Sequence, residues 1–349
     1  MKRISIYRLF IMIVLYSLVA NFAHPITPTF IQNLRLNNYM FGVAFACMAI
    51  TNFLFSPFWG KVSKSIGVAK TAGYCFFGYS FAQFLFGSST TELGIIIARL
   101  VGGTFISGIS VCNILYIIDN SDDDKKSQNL ATSVTLSAIF SAFGYMIGGF
   151  LGDVSISFTF LAQVVGLALI GVLYLLFMGD KNSNETFVLK EVIKNSNPFK
   201  AILDSREIIT AMIACFLMVC VLTSFASTCY EQCFNYFIKD QYGFPPSYNG
   251  LLKAGVGIVT LIANSTICVV LMKKTNIVKT IIPVLFICFI MMLCIVILDD
   301  VIPFITLNVV FFGFNAIYQP LLQAMINILS KNNKYGLKAA RRAPQFSKR

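Results

Sequence analysis

Four side chains that can carry a charge fall inside stretches that are otherwise apolar: His24, Arg99, Glu231 and Lys253. Charged groups are expensive in a hydrocarbon layer, and those that are kept there are functional candidates that need a partner. Glu231 is the only acid of the four, and His24 is the only histidine in the chain. A carboxyl shielded from water and an imidazole with an ordinary pKa near neutrality can each take up and release a proton. Arg99 adds a fixed positive charge, so Glu231, His24 and Arg99 are the candidates for proton coupling. Three static roles compete with this reading. Glu231 could pair with Lys253 or Arg99, His24 could cap a helix near Pro25, and Arg99 could snorkel to outer headgroups. Arginine at the centre of a span costs roughly 2.5–3.5 kcal/mol on insertion scales. Arg99 lies about six residues from an outer helix end, roughly 9 Å deep at 1.5 Å per residue.

Other chemistries lack their residues. There is no G-x-S-x-G, no G-x-x-x-x-G-K-[ST] and no H-E-x-x-H, so neither an enzyme nor a carrier driven by its own ATPase is expected. Cys229 and Cys233 sit four apart with no histidine nearby, so no metal site is expected and no cofactor is called for. Amides and tyrosines inside apolar stretches are candidates to line a substrate cavity: Asn21, Asn113, Tyr230, Asn315 and Gln319, with Asn52, Gln83, Gln163, Asn264 and Tyr318 beside them. Such residues can equally bond a neighbouring helix.

The elements that must position these groups are long apolar helices. A spanning helix needs about 20 apolar residues, and ten stretches qualify, at about 7–29, 39–58, 71–88, 93–118, 130–151, 157–178, 208–237, 247–272, 278–298 and 301–329. Hydrophobic residues are 57% of the chain and charged ones 12%, which describes a polytopic membrane protein. The net charge of +12 is a topology signal and no sign of nucleic acid. Among the basic residues only Arg35 and Lys239 fall in loops on one side, Arg99 and Lys253 fall in spans, and the rest gather at the other face. Positive residues stay inside, so both termini are expected in the cytoplasm, with the plasma (inner) membrane as the location. The first stretch follows Met1-Lys2-Arg3 but has no small-residue cleavage site, and is read as retained.

The chain divides into a six-helix part, 1–178, a polar cytoplasmic linker, 179–207, a four-helix part, 208–330, and a basic cytoplasmic tail, 331–349. The two parts repeat. Phe30-Ile31 answers Phe237-Ile238, Asn38 to Gly42 answers Ser247 to Gly250, and Lys70-Thr71 answers Lys279-Thr280, at offsets between 207 and 209. His24 and Glu231 also differ by 207 and occupy equivalent positions on the first and seventh spans. Two halves related by an axis along the membrane normal make an alternating-access carrier with its site at the midplane.

Three motifs carry a resemblance. The loop from Gly60 to Lys70 resembles the G-x-x-x-D-R-x-G-R-K signature of the major facilitator superfamily, with Gly60 and Gly67 in register. It departs at Lys64, where the family has an acid, and at Ser65. Arg99 followed by Gly102 and Gly103 resembles the fourth-helix motif of that family. Gly144-Tyr145-Met146-Ile147-Gly148-Gly149 resembles the end of its antiporter motif, with Tyr145 in place of a kinking proline. Gly60, Gly67, Gly144, Gly148 and Gly149 are thereby the candidate conformational residues. The resemblance covers about 7–330 and is nearest to the drug and small-solute exporters.

The expected fold is an all-α membrane protein, a major-facilitator-like bundle of about ten transmembrane helices, six plus four, with a pseudo-twofold repeat. The resemblance implies a secondary transporter that exports small amphipathic molecules by alternating access, with protons, a small-molecule substrate and the bilayer as partners. A nutrient symporter of the same fold and a non-transporting membrane sensor or subunit are the alternatives. At an offset of 209 the fifth and sixth spans should recur near 339–387, whereas the chain stops at Arg349 after Lys338-Ala339-Ala340-Arg341-Arg342-Ala343-Pro344. Two helices are therefore expected to be missing, leaving a second half that folds poorly alone, transports weakly or dimerises.

Overall fold

The computed structural model describes residues 6–122, 124–180, 188–194, 196–200, 211–298 and 300–332. Among these residues the chain is helical and contains no strand. That follows from the solvent: a bilayer offers no partner to backbone N–H and C=O groups, so each segment must bond itself. The helices are α1 (Ile6–Ala20), α2 (Thr27–Asn33), α3 (Tyr39–Ile66), α4 (Val68–Ser88), α5 (Glu92–Asn120), α6 (Lys126–Val154), α7 (Ile156–Phe177), α8 (Leu189–Lys194), α9 (Ala211–Tyr242), α10 (Pro246–Ala263), α11 (Val269–Lys274), α12 (Ile277–Ile297) and α13 (Val301–Asn332). A π-helical turn, Asn264–Cys268, joins α10 to α11. Eight segments among the described residues are long and apolar enough to cross a membrane, in α3, α5, α6, α7, α9, the α10–α11 run, α12 and α13. The all-α membrane architecture agrees with the expectation from sequence.

The chain forms two compact units. The first takes residues 1–200 together with 232–254, the second 201–231 together with 255–349. In the first, α3 and α4 pack on α5 and on each other, α4 also packs on α7, and α1 packs on α6 and α7. Tyr79, Phe76, Tyr174, Ile109 and Leu167 form its dry interior. Small residues let the backbones approach, as membrane helices require. A Cβ on Gly103 of α5 would come within 2.1 Å of the Met48 carbonyl oxygen and the Thr51 hydroxyl on α3. Trp59 of α3 donates its indole N–H to the Thr104 carbonyl of α5 at 2.6 Å.

The first expected span is two helices. Between α1 and α2 the chain turns through residues 21–26, with Pro25 in the turn and Pro28 in the first turn of α2. Proline removes a backbone donor and clashes with a continuing helix, but fits a helix start. The carbonyls freed by the break are met from far along the chain. Gln163 of α7 donates to the Ala20 carbonyl at 2.7 Å, and Asn249 of α10 donates to the Pro25 carbonyl at 3.4 Å.

Gly67 closes α3 and opens α4 with φ +102°, a conformation that side chains rarely adopt. Asp180, just past α7, places its carboxylate on this turn and accepts from the backbone N–H groups of Ala69 and Lys70 at 2.6 and 3.1 Å. A negative group at a helix N-terminus satisfies free donors and the helix dipole together. The signature loop lacks its own acid at Lys64, and a carboxylate nevertheless meets the α4 start.

The second unit has its own core, built from Phe216, Ile281, Val284, Ile317, Tyr318, Leu321 and Leu322. Tyr318 donates to the Thr223 carbonyl at 3.1 Å, tying α13 to α9. Of the expected linker, 181–187, 195 and 201–207 lie outside the described residues, as does the tail from 333 onward.

Candidate functional site

A cavity of about 250 Å³ opens within the first unit. One face of α3 supplies Phe41, Ala44, Phe45, Met48, Ala49 and Asn52, spaced at the three- and four-residue steps that put side chains on one side of a helix. The break between α1 and α2 supplies His24, and α2 supplies Thr27. Arg99 and Ile106 come from α5, and Gln232 and Asn235 from the last three turns of α9. The lining is thus aromatic, thioether and amide around a cation and an imidazole, the mixture expected of a small-molecule site.

The guanidinium of Arg99 lies over the Phe86 ring, 3.6 Å from its centroid, and one N–H points at the Met48 sulfur at 3.7 Å. A cation over an aromatic face in a dry site is worth about 2 kcal/mol. The Arg99 Nε and the Asn235 Oδ1 are both buried and accept or donate no hydrogen bond among the described residues. His24 is exposed to the cavity and packs on Tyr145, ring centroids 5.3 Å apart. Tyr145 also faces the buried Lys253, whose Nζ lies 5.9 Å from the ring centroid. The residue that stands in place of the expected proline therefore joins the histidine to a lysine.

The glycines of α6 hold this corner together. An added Cβ on Gly144 or Gly148 would sit 2.2 Å from the carbonyl oxygens of Leu18 and Phe22, where α1 ends. On Gly149 it would lie 2.7 Å from the Pro246 carbonyl oxygen, and on Gly250 it would lie 2.5 Å from that of Tyr145. Near this contact the Ser247 N–H donates to the Asp153 carboxylate at 3.2 Å. At the rim of the same unit Tyr236 donates to Asn38 at 2.7 Å and Gln32 to Asp240 at 3.2 Å. Gly60 makes only an ordinary contact with Val111, and Gly67 serves the α3–α4 turn.

Of the coupling candidates, His24 and Arg99 share the cavity. Glu231 precedes Gln232 on α9 and belongs to the second compact unit. Of the cavity candidates, Asn52 lines it. Asn21 donates to the Ser17 carbonyl at 2.6 Å and to the Ser141 hydroxyl at 3.0 Å. Asn113 accepts from the Tyr174 hydroxyl at 2.5 Å between α5 and α7, and is not among the lining residues. Tyr230 and Asn315 are placed in the second unit, the first bonded to Asn308 and the second donating to Ser227 at 2.8 Å. The Gln319 side chain lies outside the described residues. Thr27, Phe41, Met48, Gln232 and Asn235 were not singled out from sequence; of these, only the amides in an apolar run carried a signal.

Comparison with known proteins shows the family through one family model. A family model described as Major Facilitator Superfamily matches residues 9–337. Multidrug resistance protein 1 of Bacillus subtilis is 28% identical over 239 residues, covering 67% of this chain and 58% of that protein. Quinolone resistance protein NorA of Staphylococcus aureus is 22% identical over 259 residues, 73% of this chain and 63% of that one. The chain thus spans about three-fifths of the length of these relatives. The crystal structure of the nucleoside transporter NupG superposes with a TM-score of 0.67 at 12% identity, over 96% of this chain and 84% of that one, which shows a common fold. An integral membrane protein, helical without strands among its described residues, whose family match runs from the first helix to beyond the last described one, this chain belongs to the major facilitator superfamily of transporters, which are not enzymes.

Proposed function

We propose that the chain is a secondary active transporter that exports small amphipathic molecules in exchange for protons. The single observation that carries this is the cavity in which His24 and Arg99 meet an aromatic and amide lining, at a break in the first span. Broken helices place polar groups and a bendable backbone in the same spot, as carrier sites need. In this reading residues 1–178 and 208–330 act as the two halves of an alternating-access cycle, with both termini cytoplasmic and the plasma membrane as the site of action. Glu231, His24 and Arg99 are the residues that carry the proton coupling in this reading. The printed names of the bacterial relatives, multidrug and quinolone resistance proteins, support efflux of amphipathic molecules.

A second reading, uptake by symport, is favoured by Tyr145, which stands where the antiporter motif has proline and packs on His24. Counterflow in proteoliposomes against a panel of solutes, with and without a pH gradient, separates the two. An exporter accumulates solute when the proton gradient opposes it, and a symporter when the gradient runs with it. In the proposed cycle Glu231→Gln abolishes pH-driven accumulation and leaves solute exchange largely intact. Full gradient-driven accumulation by that variant would reduce Glu231 to a structural residue.

A further inference from the structure

We propose that the Arg99 cavity recognises an anionic solute group, a carboxylate on an aromatic or otherwise apolar body, and that a donor on the same solute meets Asn235. The proposal rests on the transport reading above and names its substrate class. A guanidinium carries five N–H donors in a planar fork and no acceptor. Its neighbours include the Met48 thioether, the Phe86 ring and the Tyr79 phenol, and none of these is a carboxylate. No carboxylate forms an ion pair with it among the described residues, and its Nε is buried without an acceptor.

Geometry points to what would complete the site. The guanidinium carbon sits 3.6 Å from the centroid of the Phe86 ring, which packs against the fork. The hydrogen-bonding edge of the fork is the feature that pairs with a carboxylate through two parallel bonds. Phe41, Phe45, Met48 and Ile106 supply an apolar wall with an adaptable thioether, suited to an aromatic body. Asn235, 8% exposed, lines the same cavity, and its carbonyl oxygen, without a hydrogen-bond partner among the described residues, calls for an N–H or O–H on the solute. The same features select against cations: an unneutralised guanidinium repels a like charge, which is discrimination by misfit rather than by contact.

Equilibrium dialysis on the purified chain in detergent tests this without any gradient. The probes are 2-naphthoate, its methyl ester, 2-naphthylmethylammonium and 6-hydroxy-2-naphthoate. Naphthoate binds at least about tenfold tighter than the ester, the ammonium binds more weakly than either, and the hydroxyl adds affinity. Arg99→Gln erases the preference for the carboxylate while ester affinity holds, Arg99→Lys restores part of it, and Asn235→Leu removes only the gain from the hydroxyl. Ester binding reports that each variant is folded; where Arg99→Gln does not fold, the ranking of the probes on the native chain decides. Equal affinity for naphthoate and ester, preference for the ammonium, no naphthoate binding up to its solubility, or a carboxylate preference that survives Arg99→Gln overturns the proposal. A carboxylate preference in a chain that moves nothing refutes the transport reading alone. Gradient-driven movement of neutral and cationic solutes without that preference refutes only the assignment of an anionic substrate.

Discussion

Gly148→Ala places a methyl group where the structure has none to spare. Its Cβ would lie 2.2 Å from the Phe22 carbonyl oxygen, 2.5 Å from the Phe22 Cα and 2.7 Å from the carbonyl carbon. Ordinary contact begins at 3.4 Å, and all three atoms are backbone, so no side chain can swing aside. Either α6 retreats by about 1 Å or the α1 end is pushed away, and overpacking of this kind costs about 1–3 kcal/mol. Alanine is also a better helix former than glycine by about 1 kcal/mol, which would mask part of the loss. Gly42→Ala removes that ambiguity, because nothing lies within 4 Å of its added Cβ while the gain in propensity is the same. Reversible unfolding of both variants in mixed micelles with rising dodecyl sulfate should show Gly148→Ala less stable than Gly42→Ala by about 1–3 kcal/mol. The displaced break carries His24, so Gly148→Ala should lose gradient-driven transport as well. Equal stability of the two variants would refute the close approach of α6 to the broken span.

The membrane architecture was legible because hydrocarbon thickness imposes a length, and length and apolarity are local properties of a sequence. The break in the first span was not. Pro25 and Pro28 were visible, but the run around them stays apolar, and hydropathy is indifferent to the path of the backbone within it. Whether a helix can afford to stop in a membrane depends on who meets its carbonyls. Here the answer comes from Gln163 and Asn249, more than a hundred residues away. Gln163 looked like a cavity amide and is instead such a partner, fully buried.

The site divides along the same line. His24, Arg99 and Asn52 were visible as polar groups in apolar runs, and the structure gathers them. Asn113 gave the same signal, yet a tyrosine from α7 takes its oxygen. Met48, Phe41 and Asn235 face the cavity only because of how α3 and α9 are turned. Spans that are apolar all round carry no stripe from which that rotation could be read. Asp180 read as the first charge of a polar linker, whereas the turn at Gly67 gives it a helix start to cap.

Two further outcomes follow from the same structure. In a background without native cysteines, cysteine at Lys61, which is exposed, or at Lys274 should react with impermeant reagents only from the cytoplasmic side; labelling of either from outside would invert the topology. Gln163→Met keeps the length of the side chain and removes its donor, leaving the Ala20 carbonyl without its partner in a dry interface. The Gln163 Oε1 already lacks a partner among the described residues, so methionine also relieves one unsatisfied acceptor while it creates another. The net loss is then the bond itself, about 1 kcal/mol, read in the same micellar unfolding assay. If the broken helix positions His24, the loss should extend beyond stability: the pH dependence of solute movement should shift in Gln163→Met and return in Gln163→Asn only if the shorter amide still reaches. A variant as stable as the native chain, with an unchanged pH profile, would mean that the break holds itself and that α7 merely lies beside it.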